Sequence, residues 1–150
     1  MMNKEPDPGM SLIVKTVTRL TVWLILIYGI YIILHGHVSP GGGFAGGVII
    51  ALSFIHLMLA YGKEAVLQKT SKEFLELWES AGALAFLTIA LLGLTGGYFF
   101  RNFLPAGEPF SLFSAGTIPL NNIAIGLKVW TGLFVIFLAL VFARIIDKEG

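Results

Sequence analysis

Cysteine is absent from this 150-residue sequence, and charged side chains are scarce. Without cysteine the chain cannot form disulfides, ligate iron–sulfur clusters through thiolates or perform thiol chemistry. Charged residues make up 13% of the sequence, compared with about 25% in soluble globular proteins. So few charges cannot cover the surface of a soluble enzyme. A formal net charge of +1, without a basic patch, also argues against nucleic acid as a partner.

Long apolar stretches take the place of the missing charges. Hydrophobic residues make up 56% of the chain, enough for about four membrane-crossing helices of roughly 20 residues each. Positions 20–62 and 80–100 contain no Asp, Glu, Lys or Arg, and 121–143 contain only Lys128. An outer-membrane barrel would instead alternate apolar and polar residues. We therefore predict an all-α integral membrane protein with one domain over 1–150 and transmembrane helices near 12–34, 44–63, 78–100 and 122–144.

The first span is expected to remain in the protein as a transmembrane helix. Its apolar run is longer than the core of a secretory signal peptide, which has about 7–15 residues. Acidic Glu5 and Asp7 also interrupt the basic region that such a peptide carries.

Lysine and arginine positions predict the orientation in the membrane. Eight of the ten cations fall at the two termini or in the 63–79 connection, and Arg101 lies on the opposite side. Because cytoplasmic loops are enriched in Lys and Arg, we expect both termini in the cytoplasm of a multi-pass protein of the cell membrane. The eight cations are Lys4, Lys15, Arg19, Lys63, Lys69, Lys72, Arg144 and Lys148.

The connections before the third and fourth spans differ in character. In the first of them, Thr70 and Glu73 have the spacing of a capping box, which predicts a helix start at Thr70. The 101–121 connection is proline-rich and unusually apolar. It either rests on a neighbouring subunit or dips into the membrane interface, or it covers the helix ends of its own chain. Asn121 or Asn122 is predicted to cap the fourth helix.

The first loop is rich in glycine, with six glycines between positions 36 and 47. Glycine permits positive φ and close approach of backbones. The pairs Gly42/Gly46 and Gly43/Gly47 have the small-xxx-small spacing that lets two membrane helices approach closely. A phosphate-binding loop is excluded, because no Gly-Lys-Ser/Thr follows and no strand precedes. We expect a tight turn packed against protein.

This loop resembles the signature turn of the B-type subunit of Mrp (Mnh) multisubunit cation/proton antiporters. The resemblance is carried by His35-Gly36-His37-Val38-Ser39-Pro40-Gly41-Gly42-Gly43-Phe44 followed by Gly46-Gly47-Val48-Ile49. The chain length, the four spans and the long loop before the last helix fit the same family. The resemblance implies that Pro40, Gly41, Gly42, Gly43, Phe44, Gly46 and Gly47 have a structural role, needed for assembly or activity.

The resemblance also implies a small accessory subunit of a hetero-oligomeric membrane assembly that exchanges sodium for protons. Its partners would be other membrane subunits of the antiporter module and the lipid bilayer. Homologous modules occur in membrane-bound hydrogenases and ferredoxin-linked respiratory complexes, where the module is coupled to a redox arm. The sequence leaves open which of these two settings applies, or whether the subunit is only a scaffold.

Three ionisable residues are candidates for a proton or ion path. Lys128 lies about 9 Å past Asn122 along the fourth helix. It either faces a partner subunit as a relay or extends toward the outer surface. His56 either shuttles protons or bonds a neighbouring helix as a neutral group. Glu79 either attracts cations or is an ordinary charge at the end of the third span.

No catalytic, cofactor or metal site is expected. His35 and His37 are too few for a metal, which needs three or four ligands. No Gly-x-Ser-x-Gly sequence suggests covalent catalysis. Four helices with so little polarity predict a component that is not an enzyme by itself and that lacks a complete ion path of its own.

Overall fold

A computed structural model of the chain contains four long helices in the residues that it describes. These residues are 9–62, 71–108, 111 and 114–149, with the backbone alone for 144–149. The helices are α1 (Leu12–His35), α2 (Gly43–Tyr61), α3 (Lys72–Leu92) and α4 (Ile118–Glu149), and a 3₁₀ turn (Gly93–Gly96) continues α3. Across the described ranges no residue is in a strand. Each helix, α3 together with its 3₁₀ turn, is long and apolar enough to cross a membrane. The prediction of an all-α protein with four spans is therefore confirmed.

The starts of α3 and α4 differ from their predicted positions. The hydroxyl of Ser71 accepts a hydrogen bond from the Phe74 amide at 3.1 Å, so Ser71 is the N-cap of α3. The prediction of a cap at Thr70 was wrong by one residue. The fourth helix begins at Ile118, and Pro119 falls in its first turn, where a missing amide hydrogen costs nothing. The prediction that Asn121 or Asn122 caps this helix was also wrong.

The helices pack side by side in the order α1, α2, α4, α3. Close backbone contacts join α1 to α2, α2 to α4 and α4 to α3, with a smaller contact between α1 and α4. In the described part of the chain, α4 is the only long helix whose backbone closely approaches α3. We call the end with the start of α1 and the end of α4 the terminal end, and the opposite end the loop end. The α2 and α4 helices run in the same direction, and their neighbours run against them.

Large side chains fill the terminal half where α2, α3 and α4 meet. Phe134 and Leu75 are fully buried there, together with Met58 and Leu138. The ring of Phe54 stacks on Trp130 at 4.9 Å and tilts against Phe134 at 5.7 Å between ring centroids. Because lipid tails are as apolar as these side chains, close packing rather than exclusion of water holds the helices together.

At the loop end the chain after α3 folds back on its own helices. The Phe100 amide donates to the Ala90 carbonyl at 3.3 Å, and its ring lies 5.3 Å from that of Phe86. The side-chain oxygen of Asn102 accepts from the amides of Leu104 (3.2 Å) and Thr117 (3.1 Å). These contacts place part of the apolar connection over helix ends of the same chain. Its residues Pro109, Phe110, Leu112 and Phe113 lie outside the described residues.

Candidate functional site

The glycine-rich turn is held to α4 as well as to α1. The amides of Val38 and Ser39 each donate to the His35 carbonyl at 2.9 Å, which closes the turn on α1. Gly41 and Gly42 have φ values of 152° and 115°, a region that favours glycine. The Gly43 amide, in the first turn of α2, then donates to the Asn122 side-chain oxygen at 3.3 Å. Asn122 is thus a link between two helices rather than a cap.

Four other glycines, in two pairs, bring the backbones of α1, α2 and α4 together. A Cβ placed on Gly46 would lie 2.7 Å from the Gly29 carbonyl oxygen of α1. A Cβ on Gly47 would lie 2.9 Å from the Gly126 carbonyl oxygen of α4. Real Cβ atoms do not approach so closely, so these positions have no room for a side chain. Glycine along α2 therefore sets how near its two neighbours can come.

Three motif residues lie on the surface of the chain, namely Pro40, Gly41 and Phe44. Pro40 is exposed in the turn, and the Phe44 side chain at the start of α2 is 66% exposed. They differ in this from Gly42, Gly43, Gly46 and Gly47, which are buried between helices. The motif accordingly combines an internal glycine surface with two outward side chains.

His56 forms a polar contact between α1 and α2. Its Nε2 atom lies 3.0 Å from the hydroxyl of Thr18, which is fully buried. Thr18 lies in the first third of α1 and His56 in the last third of α2, so both are in the terminal half. Nearby, the Tyr61 hydroxyl donates to the Lys15 carbonyl at 3.2 Å. Thr18 was not among the predicted site residues, since a threonine in an apolar helix carries no signal of which neighbour it bonds.

Lys128 lies deeper in its helix than the sequence predicted. With α4 starting at Ile118, the lysine is ten residues or about 15 Å from the helix start. The apolar span of α4 is Ile118–Ala143, which puts the Lys128 Cα within about 4 Å of its middle. The four-carbon stem of a lysine covers only part of the distance to either bilayer surface. Lys128 is therefore near the middle of the apolar span, and the residue is exposed on the surface of the chain.

Glu79 faces the same part of α4 from α3. Its carboxylate oxygen Oε1 lies 3.5 Å from the position that a Cβ on Gly132 would take. One turn along α3, a Cβ on Gly82 would lie 3.2 Å from Cβ of Lys128 and 2.9 Å from its backbone nitrogen. We call these four residues, Glu79, Gly82, Lys128 and Gly132, the α3–α4 seam. The third span was predicted to start near residue 78, whereas the helix begins at Lys72. Glu79 is therefore seven residues from the start of the helix rather than at its end.

The structure brings together only two of the three candidate ionisable residues. Glu79 and Lys128 share the α3–α4 seam, whereas His56 contacts Thr18 of α1, on the other side of the α2–α4 pair. In the part of the chain that the structure describes, no three His, Asp or Glu residues are grouped so as to hold a metal. His35 stacks on Tyr31 at 4.1 Å, and Nε2 of His37 lies 3.2 Å from the Ser111 carbonyl oxygen.

Comparison with known families shows which family the chain belongs to. A family model described as a domain related to the MnhB subunit of the Na+/H+ antiporter matches residues 13–135. The chain belongs to the MnhB family. The matched range contains the glycine-rich turn, His56 and the whole α3–α4 seam, so every candidate residue lies in the part that relates this chain to the family.

Individual relatives of this MnhB-family chain come from bacteria and archaea. A Staphylococcus haemolyticus protein named antiporter subunit mnhB2 is 32% identical over 143 residues, covering 91% of this chain and 96% of the relative. An uncharacterized protein of Methanocaldococcus jannaschii is 42% identical over 117 residues, covering 73% of this chain. This match takes in only 44% of the archaeal protein.

A solved structure has the same fold. It is a chain of the membrane-bound sulfane sulfur reductase, an archaeal respiratory membrane complex, with a TM-score of 0.74 and 30% identity. The match covers 89% of this chain and 60% of that one. Family members therefore occur as membrane subunits of larger assemblies, in proteins named for antiport and in a respiratory complex.

Proposed function

We propose that the chain is an accessory membrane subunit of a multisubunit sodium/proton antiporter module, contributing to cation/proton exchange and to assembly. Family membership supports the module. The observation that carries participation in exchange is the meeting of Glu79 with the Lys128 region of α4 near mid-span. Ionisable residues at this depth are costly in lipid and typically functional. The chain acts with partner subunits and is not an enzyme by itself.

The test measures exchange by the whole assembly in membrane vesicles. Lys128→Ala and His56→Ala are each introduced into the complete complex, and sodium-driven proton movement is followed with a pH-sensitive dye. Lys72→Ala is the matched control, since Lys72 pairs with Glu76 at 3.2 Å on the exposed first turn of α3. We expect loss of exchange in Lys128→Ala with normal assembly, and no change in the control. Full exchange and normal assembly in both test variants would contradict a role in the ion path. A purely structural role as a scaffold subunit would then remain.

Orientation is part of the proposal, with both termini in the cytoplasm. Lys15, Arg19 and Lys72 lie at the terminal end of the described helices, and Arg101 lies at the loop end. Lys4, Lys63 and Lys69 lie outside the described residues, and the Arg144 and Lys148 side chains are likewise not described. The absence of cysteine allows clean single-cysteine labelling. Ser39→Cys should react with an impermeant maleimide on intact cells, and Ser71→Cys only after permeabilisation. The reverse pattern would overturn the orientation.

A second candidate is the same module serving as the ion-translocating part of a redox-driven complex. The structural likeness to a chain of a respiratory membrane complex favours this setting. Purification of the native assembly distinguishes the two. Co-purifying hydrogenase-like or ferredoxin-linked subunits, together with sodium movement driven by an electron donor, would replace the stand-alone antiporter. Exchange by an assembly that lacks redox subunits would support the stand-alone antiporter.

A further inference from the structure

Glycine brings α3 and α4 close together along a seam that includes Glu79 and Lys128. Gly82 lies against the Lys128 backbone, and Gly132 lies beneath the Glu79 carboxylate. Glu79 and Gly82 are three residues apart on α3, and Lys128 and Gly132 are four apart on α4, so each pair shares one face of its helix. The Glu79 carboxylate lies against Gly132, which is four residues from Lys128. It is therefore about one helical turn, roughly 6 Å along α4, from the Lys128 Cα.

The Glu79 carboxylate and the Lys128 backbone are close along the seam, but the two side chains do not form an ion pair. Among the described residues, the Lys72–Glu76 pair at the start of α3 is within ion-pair distance, and Lys128 with Glu79 is not. Side chains on a helix lean toward its N-terminus. Since α3 and α4 run in opposite directions, Glu79 leans toward the terminal end and Lys128 toward the loop end. Contact between the two groups requires a different lysine rotamer, one that turns the Lys128 side chain toward the terminal end.

Each group changes the cost of charging the other. An isolated charge near the centre of a transmembrane helix costs about 2.5–3.5 kcal/mol on insertion scales. An opposite charge one turn away offsets part of that cost, because Coulomb attraction is stronger where water is scarce. The described part of α2 contributes His56, which faces α1, and Tyr61 at its terminal end. On α1, the basic residues Lys15 and Arg19 lie in the first two turns, at the terminal end.

We propose that Glu79 and Lys128 act as one coupled acid–base pair, which carries the proton within this subunit. A proton passes from the Lys128 ammonium to the Glu79 carboxylate, leaving a neutral amine and a neutral carboxylic acid, and the reverse transfer restores both charges. The net charge of the seam is the same in both states. The inference rests on the proposed function and adds to it that these two residues work as a unit and that His56 stands apart.

A double-variant cycle on the assembled complex tests the coupling. Glu79→Gln, Lys128→Met and the double variant are compared for sodium/proton exchange, with the amount of assembled complex measured in parallel. We expect each single variant to lose roughly 10²-fold in exchange rate, the scale of one acid–base group, and the double variant to lose no more than the worse single. The control cycle uses Lys72→Met and Glu76→Gln, which remove an exposed pair of the same chemistry.

The outcomes separate this inference from the proposed function. If both single variants slow exchange and their effects multiply in the double variant, the two residues act independently and the coupling is overturned while the proposed function stands. If neither single variant changes exchange, the role in exchange fails as well. If a single variant fails to assemble, assembly becomes the readout, because removal of both charges leaves none unpaired. The double variant then assembles if the residues are coupled, and its failure to assemble overturns the inference.

Discussion

The contacts of α4 with α2 and with α3 use glycine for different purposes. Against α2, Gly43 and Gly47 meet backbone carbonyls of α4, so nothing larger than hydrogen fits. Against α3, Gly82 is equally tight, but Gly132 leaves ordinary contact distance to a carboxylate. At these two glycines the first contact brings backbones together. The second brings them together and also accommodates the Glu79 carboxylate, so two of the three candidate ionisable residues lie at this contact.

The largest expected effect comes from filling the tight contact with α2. In Gly43→Val the new Cβ would overlap the Asn122 carbonyl oxygen and approach Cβ of Ile125 at 2.8 Å. Backbone cannot move aside as a side chain can, so we expect loss of the assembled complex on native gels. Ala45→Val, two residues along the same helix and partly exposed, should assemble normally. Normal assembly and activity of Gly43→Val would refute the packing role of the turn.

The next largest effect is expected at Gly82. Gly82→Ala places a methyl group 2.9 Å from the Ala124 carbonyl oxygen and from the Lys128 nitrogen, so α3 must shift away from α4. A close-packed site of this kind loses roughly 1–3 kcal/mol when overfilled. We expect a lower melting temperature of the purified complex, together with slower exchange. Unchanged values of both would show that α3 is not fixed against α4 at this point.

Gly132 offers a graded test of the charged side of the comparison. Gly132→Ala adds a methyl group at ordinary contact distance, 3.5 Å from Oε1 of Glu79, and we expect exchange close to that of the unmodified complex. Gly132→Leu extends further and displaces the carboxylate, so exchange should fall while assembly stays. Equal exchange rates in the two variants would mean that the position of Glu79 against α4 is unimportant.

The smallest effect is expected at the polar contact between α1 and α2. Thr18→Val keeps the shape of the side chain and removes the hydroxyl that lies 3.0 Å from Nε2 of His56. Hydrogen bonds between membrane helices contribute about 0.6 kcal/mol on average. We expect a small fall in melting temperature and unchanged exchange. A loss of exchange as large as that of Lys128→Ala would place His56 on the ion path and remove the contrast between the two sides of α4.

The number and type of helices could be predicted because a membrane forces charges out of the spans. The long stretch without charge at 20–62, interrupted by the glycine turn, was enough to predict α1 and α2. The start of α4 could not be predicted from the asparagines near it. Pro119 suggested a break in the helix, although a helix can equally begin at a proline. Asn122 was then interpreted as a cap, although its side chain bonds the Gly43 amide.

The candidate site was predictable as single residues but not as an arrangement. Lys128, His56 and Glu79 stand out because ionisable groups are rare in these spans. Which of them meet depends on the register between helices, and that register is set by close contacts such as Gly82 against Lys128. A lone glycine in an apolar run does not reveal the helix it will face. For this reason neither the sharing of one seam by Glu79 and Lys128 nor the Thr18 contact of His56 was foreseen.

The helix order α1, α2, α4, α3 has a consequence for synthesis at the ribosome. The α1 and α2 helices can pair as soon as they leave the translocation channel, since each is the other's neighbour. The α3 helix is made next, yet the one described helix that its backbone closely approaches is α4, which is made last. Until then α3 carries Glu79 into the bilayer without that neighbour. The arrival of α4 therefore completes both the fold and the electrostatic environment of Glu79.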